Sequence, residues 1–134
     1  MKIVFVHVPN HEDLGWVVER AVEPLLAGLR RVGVTVERWN VDTLPELEKR
    51  LRAETSPPLI WPNAYHIDSE QGIPVSLIQA IEDLGFDIVG SGAQTLALVL
   101  DKARCQAKIL QAGLPAPAFV ALRGDEPDLG LQIE

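Results

Sequence analysis

The sequence predicts an α/β fold: an open parallel sheet with helices on both faces. Two features carry that expectation. Continuous apolar, β-rich runs alternate along the chain with apolar stripes at three- and four-residue steps, the pattern of βαβ units whose strands are buried on both faces. Composition agrees, because 47% hydrophobic and 23% charged residues in a chain of 134 supply the core of one ordinary domain and argue against disorder.

Taken in order, Lys2 to Val8 is an unbroken apolar run suited to a central strand. Asn10-His11-Glu12-Asp13 reads as a capped helix start. Leu14, Val17, Val18, Ala21, Val22, Leu25, Leu26 and Leu29 then form one stripe of a long helix that Gly33 ends. Pro24 interrupts that stripe, predicting a kink near Arg20 to Glu23 or two abutting helices. Val34 to Val41 gives a second strand, and Thr43-Leu44-Pro45-Glu46 has the spacing of a capping box opening a short helix through Leu51. Leu59-Ile60-Trp61, fenced by Pro57, Pro58 and Pro62, is a brief third strand whose prolines restrict its ladder.

A polar loop follows, then a helix carrying Pro74, Val75, Ile78, Ile81 and Leu84 and closed by Gly85. Phe86 to Val89 makes a fourth short strand, and Gly90-Ser91-Gly92 a turn. Leu96, Val99, Leu100, Ala103, Ala107 and Leu110 mark one continuous helix ending at Gly113. Ala118 to Leu122 is a final extended run, and Arg123 to Glu134 an acidic tail with too little apolar content for a packed element.

A net charge of -7 argues against nucleic-acid partners, whose nonspecific affinity comes from clustered Lys and Arg. Lys49, Arg50 and Arg52 alternate with Glu46, Glu48 and Glu54, a solvated helix face rather than a basic stripe. The single Cys105 permits no internal disulfide and suggests a reducing compartment. MKIVFVHVPN lacks a cleavage site, and no apolar run approaches the roughly 18 residues of a membrane span. A soluble, cytoplasmic protein without membrane partners is expected.

In such a sheet, ligands gather at the carboxyl ends of strands. Two polar segments could meet there: Asn10, His11, Glu12 and Asp13 after the first strand, and Asn63, Tyr65, His66, Asp68, Ser69, Glu70 and Gln71 after the third. The same side chains also suit helix caps and solvated loops. His11, His66, Asp68 and Glu70 lack a paired metal-ligand spacing. Gly90-Ser91-Gly92 lacks the third glycine of a dinucleotide fingerprint, so it reads as a tight turn, and Cys105, without an evident histidine partner, reads as a structural thiol.

Across residues 4–122 the order of motifs is more specific. Glu70-Gln71-Gly72, a helix, Phe86-Asp87-Ile88-Val89-Gly90-Ser91, then Asp101-Lys102 on a helix and Gly113-Leu114-Pro115-Ala116-Pro117 follow one another in line. This order resembles the D-alanine:D-alanine ligase branch of the ATP-grasp enzymes, most specifically over residues 70–122. The resemblance implies a Rossmann-like pre-ATP-grasp domain over residues 1–92, a helix and strand over 93–122 leading into an ATP-grasp fold, and a tail over 123–134. Such enzymes join a carboxylate to an amine through an acylphosphate, using ATP and magnesium. Lys102 resembles the family lysine that reaches ATP phosphates. Glu70 and Gly72 resemble the Glu-Asp-Gly of the substrate-side loop, with Gln71 in place of aspartate.

Departures from the family pattern bear on the substrate. Val8-Pro9-Asn10 replaces a Gly-Gly turn, Trp16 stands near an expected glutamate, and Asn63-Ala64-Tyr65-His66 replaces a His-Gly opening. A carboxylate–amine ligation other than D-alanine dipeptide synthesis fits at least as well, with a small carboxylate or amino acid as substrate. Too few residues follow Lys102 to build both nucleotide-clamping domains. The expectation is therefore an amino-terminal portion, not catalytic alone, whose ATP-grasp domains and most ATP and magnesium ligands lie in cis or on a split subunit. Apolar surface facing those domains predicts self-association, including a homodimer, in their absence. The alternative expectation is a noncatalytic small-molecule-binding or regulatory module on the same fold.

Overall fold

The computed structural model describes residues 1–14 and 17–118, the side chains of 12–14 excepted. By its internal contacts the chain divides into two compact units, Met1–Ala93 and Gln94–Glu134. The architecture is mixed α/β, with a three-stranded parallel sheet and five α-helices among the described residues.

The sheet has the order β2-β1-β3, where β1 is Lys2–His7, β2 is Thr35–Asn40 and β3 is Leu59–Pro62. β1 lies between the other two, and its alternation separates two cores. Ile3 and Phe5 pack with Val22 and Leu26 of α1 (Glu19–Arg31), while Val4 and Val6 pack with Leu47 and Leu51 of α2 (Leu44–Arg52) and Leu77 and Ile81 of α3 (Leu77–Asp83). Helices thus cover both faces, which is why β1 has no polar side chain between Lys2 and His7. Phe5 also meets Trp61 edge-on, with ring centroids 5.8 Å apart.

Glycine ends three of the helices, as the sequence indicates. Gly33, Gly85 and Gly113 all adopt positive φ. At each, the glycine N–H and the next N–H reach back to carbonyls of the last turn: Gly33 to Arg30 and Val34 to Leu29, Gly85 to Glu82 and Phe86 to Ile81, Gly113 to Leu110 and Leu114 to Ile109. This paired closure satisfies carbonyls that the helix itself leaves open.

Several boundaries differ from expectation. The first helix does not run from His11 to Gly33: a 3₁₀ segment, Pro9–Leu14, comes first, and α1 starts only after an extended Val18. Pro24 lies inside α1 without dividing it. Both Pro24 and Arg20, whose carbonyl loses its helical donor, are exposed, so water can serve that carbonyl. Thr43 makes no side-chain cap on α2; instead Glu46 accepts the Asp42 N–H at 3.2 Å, one residue upstream of the capping-box position.

The polar loop after β3 contains an antiparallel hairpin, β4 (His66–Asp68) with β5 (Pro74–Ser76). Pro74 and Val75 therefore belong to a strand, and α3 begins at Leu77, capped by the Ser76 hydroxyl accepting the Gln79 N–H. The expected fourth strand is one parallel bridge between Ile60 and Ile88, held by Ile60 N–H to Asp87 and Val89 N–H to Ile60. The last long helix is two, α4 (Ala93–Leu100) and α5 (Lys102–Gln111), because the Asp101 side chain accepts the Arg104 N–H at 3.0 Å and starts a new helix. Apart from Ala118, the extended run of 118–122 and the tail lie outside the described residues. No helix among the described residues is long and apolar enough to cross a membrane.

Candidate functional site

At the carboxyl edge of the sheet, β1 delivers its last residue, His7, into a nearly closed position. Its carbonyl accepts the Val41 N–H at 3.0 Å, and its Nε2 lies 3.7 Å from Glu19 Oε2. Arg38 grips the same Glu19 with two guanidinium nitrogens at 2.7 and 2.9 Å, and its Nε donates to Asn40 Oδ1 at 2.9 Å. The fork geometry matches a planar carboxylate. Arg38 therefore holds the Glu19 carboxyl below its ordinary range, and the His7 ring adds to the effect.

β3 ends on the same edge. Pro62 has no N–H, and the next residue supplies the ladder donor, Asn63 N–H to Val6 at 2.8 Å. The Asn63 side chain, 2% exposed, then turns to the backbone of Val17. It accepts the Val17 N–H at 2.7 Å and donates to the Val17 carbonyl at 3.0 Å. One amide thereby fixes the segment leading into α1.

The 3₁₀ segment and the hairpin meet through His11 and Asp68, with Nε2 and Oδ1 3.1 Å apart. The His66 ring stands beside His11, its centroid 6.2 Å away and its plane tilted by 49°. Asp68 is fixed through its backbone, bridging Thr43 in parallel and pairing with Pro74 in the hairpin. The segments after all three parallel strands thus converge on Asp68.

Glu70 and Gly72 lie farther out, in the exposed turn between β4 and β5. Ser69 closes that turn: its carbonyl accepts the Gly72 N–H at 3.0 Å, its hydroxyl accepts the Ile73 N–H at 3.1 Å, and its own N–H reaches Ile73 at 2.9 Å. Gly72 needs its missing Cβ for conformation rather than space, having φ +71 with nothing within 4 Å of an added carbon. Lys102 is the first residue of α5, exposed, and without an ion-pair partner among the described residues. It belongs to the second unit, whereas Glu70 and Gly72 belong to the first. Trp16 lies outside the described residues.

No family model matches the chain, and neither a curated protein nor a solved structure matches it.

Other candidate groups resolve on local geometry. Among the described residues no set of three or more His, Cys, Asp or Glu side chains is placed to hold a metal ion, so His11, His66, Asp68 and Glu70 do not form one. The turn before α4 is filled by a protein carboxylate: Glu82 Oε2 accepts the Ala93 N–H at 3.3 Å, and Oε1 would stand 2.5 Å from a Cβ on Gly92. Glu82 occupies the position an anion would take at that helix start. Cys105 is half-buried, and its N–H completes the first turn of α5 on the Asp101 carbonyl at 2.9 Å.

A depression of about 570 Å³ lined by Lys2, Thr35, Pro57, Pro58 and Asp87 lies at the opposite, amino-terminal edge of the strands. It contains none of the polar residues that converge on Asp68. Sequence reading selected His11, Asn63, His66 and Asp68 but not His7, Glu19 or Arg38. Arg38 and Glu19 are 19 residues apart and come together only through α1 packing on β2, so neither carries a local spacing signal.

Proposed function

We propose that the chain is the substrate-side, amino-terminal portion of an ATP-dependent carboxylate–amine ligase resembling D-alanine:D-alanine ligase, built on a Rossmann-like sheet and not catalytic alone. The observation that carries this reading is the Glu70–Gly72 turn. It follows the carboxyl end of β3 with glycine in a conformation other residues adopt at a cost, in the order in which the resembling enzymes place their substrate-side loop. The strand order β2-β1-β3, extended at β3 by the Ile88 bridge, is compatible with an open doubly wound sheet and supports the same reading.

In this reading Lys102 contributes one cationic contact to ATP phosphates. Its exposed ammonium, without a carboxylate partner among the described residues, suits that role. Glu70 orders polar groups of a small carboxylate or amino acid substrate, and Gly72 permits the turn that presents it. Magnesium and the remaining ATP ligands come from ATP-grasp domains in cis or on a split subunit.

The test joins or mixes the chain with the ATP-grasp domains encoded beside it and measures phosphate release against panels of carboxylates and amines. Release that requires both substrates, with Lys102→Ala raising the KM for ATP, is the expected result. No turnover with any pair would sink the ligase assignment. Saturable small-molecule binding without ATP turnover would instead favour a noncatalytic binding module.

A further inference from the structure

His11 and Asp68 are 57 residues apart in sequence and meet where the segments following β1 and β3 come together. An ionised aspartate offers only acceptors, so the nitrogen 3.1 Å from Asp68 Oδ1 carries the proton. In a neutral His11 that pairing places the hydrogen on Nε2 and leaves Nδ1 as the acceptor nitrogen. Nδ1 has no hydrogen-bond partner among the described residues and is not sealed from solvent.

Both partners are held in place. The His11 N–H is bonded to the Val8 carbonyl at 3.0 Å, and Asp68 is locked between Thr43 and Pro74. The His11 side chain keeps 14% exposure while His66 walls one side of it. A carboxylate that fixes the tautomer of an imidazole and leaves the other nitrogen open is a general arrangement for accepting a proton.

The geometry points to His11 as a proton acceptor, positioned by Asp68, for an amine bound at the carboxyl edge of the sheet. This inference rests on the ligase reading. When an amine nitrogen attacks an acylphosphate, a C–N bond forms and the C–O bond to phosphate breaks, its electron pair leaving with the phosphate. The nitrogen must also shed one proton. Nδ1 of His11 takes that proton, and the resulting imidazolium remains paired with Asp68.

Long-range proton–nitrogen NMR on the full chain tests the orientation first. Neutral His11 is expected as the Nε2–H tautomer, with that preference weakened in Asp68→Leu; an Nδ1–H tautomer in the unmodified protein overturns the proposal and leaves the ligase reading untouched. In the protein assembled with its ATP-binding domains, His11→Gln should lower kcat about a hundredfold and remove the acidic limb of the pH profile, without changing the KM for ATP. Asp68→Asn, which keeps the shape and loses the charge, should give a smaller drop. A folded His11→Gln protein with unchanged kcat and pH profile overturns the acceptor role. The Nε2–H tautomer in a protein that turns over no ATP keeps the orientation of the imidazole but removes the ligase reading and, with it, the amine as proton donor.

Discussion

Asn63 and Val17 form a closed pair, the side-chain amide accepting the Val17 N–H at 2.7 Å and donating to the Val17 carbonyl at 3.0 Å. Val17 immediately precedes the extended Val18 from which α1 starts, so the pair sets where the helix begins. Replacing a buried amide by an apolar group leaves two backbone groups without their partner. Asn63→Leu should lower stability by about 1–3 kcal/mol. In urea unfolding this would appear as a lower midpoint with an unchanged slope; an unchanged midpoint would mean that Val17 is held by something else.

The same pair shows which parts of the fold were legible in sequence. The three glycine stops, β1 and the apolar stripe of α1 beyond Ala21 depend on neighbours within a turn or on plain alternation, and they appear where the pattern puts them. The start of α1 depends on a residue 46 positions away, which no periodicity encodes. The β4–β5 hairpin was hidden for another reason. Its three-residue strands show one buried residue, Ile67, between His66 and Asp68, too short a pattern to separate from a polar loop. Asp101 was hidden by success elsewhere: apolar spacing continues across it, so one helix looked adequate until its carboxylate capped a second. At the carboxyl edge His11, Asn63, His66 and Asp68 were nameable in advance, but His7, Glu19, Arg38 and the His11–Asp68 partnership were not.

Asp101→Ala removes the oxygen that accepts the Arg104 N–H and should cost α5 about 1 kcal/mol. The loss should be local. Amide exchange is expected to speed at Arg104 and Cys105 while the β1 amides keep their protection, because the two groups belong to separate compact units. Asp101→Asn, which retains a capping oxygen, should restore most of the protection.

Lys2 supplies a pH-dependent term. Its ammonium lies 2.8 Å from Glu54 and 3.1 Å from Glu37, and the Glu54 bond leads in pushing its pKa up against the opposing effect of burial. Glu37 is pushed down, first by Lys2 and then by the Trp39 N–H. A raised lysine stabilises fully below its unfolded value of about 10.4, and the contribution fades as pH rises through the folded value. A lowered glutamate stabilises above its unfolded value of about 4.3, and that contribution fades as pH falls through the folded value. The cluster therefore contributes between those limits. Lys2→Met should cost up to about 1 kcal/mol at neutral pH, since the pair is partly solvated. The difference from the unmodified protein should shrink near pH 3, a comparison that urea midpoints at the two pH values can make.

Glu82 and Gly92 provide a coupling test. A Cβ at Gly92 would stand 2.5 Å from Glu82 Oε1, the end of a flexible side chain, so the carboxylate can swing away. Doing so breaks its bond to the Ala93 N–H. Gly92→Ala should therefore cost about the value of that one bond, roughly 0.5–1.5 kcal/mol, rather than the larger penalty of a backbone clash. Glu82→Ala removes the same bond from the other side. Once Glu82 is truncated, the alanine at position 92 meets nothing, so the double variant should be little less stable than Glu82→Ala alone. Additive losses in the cycle would show that the Gly92 backbone, and not the carboxylate packed beside it, determines this turn.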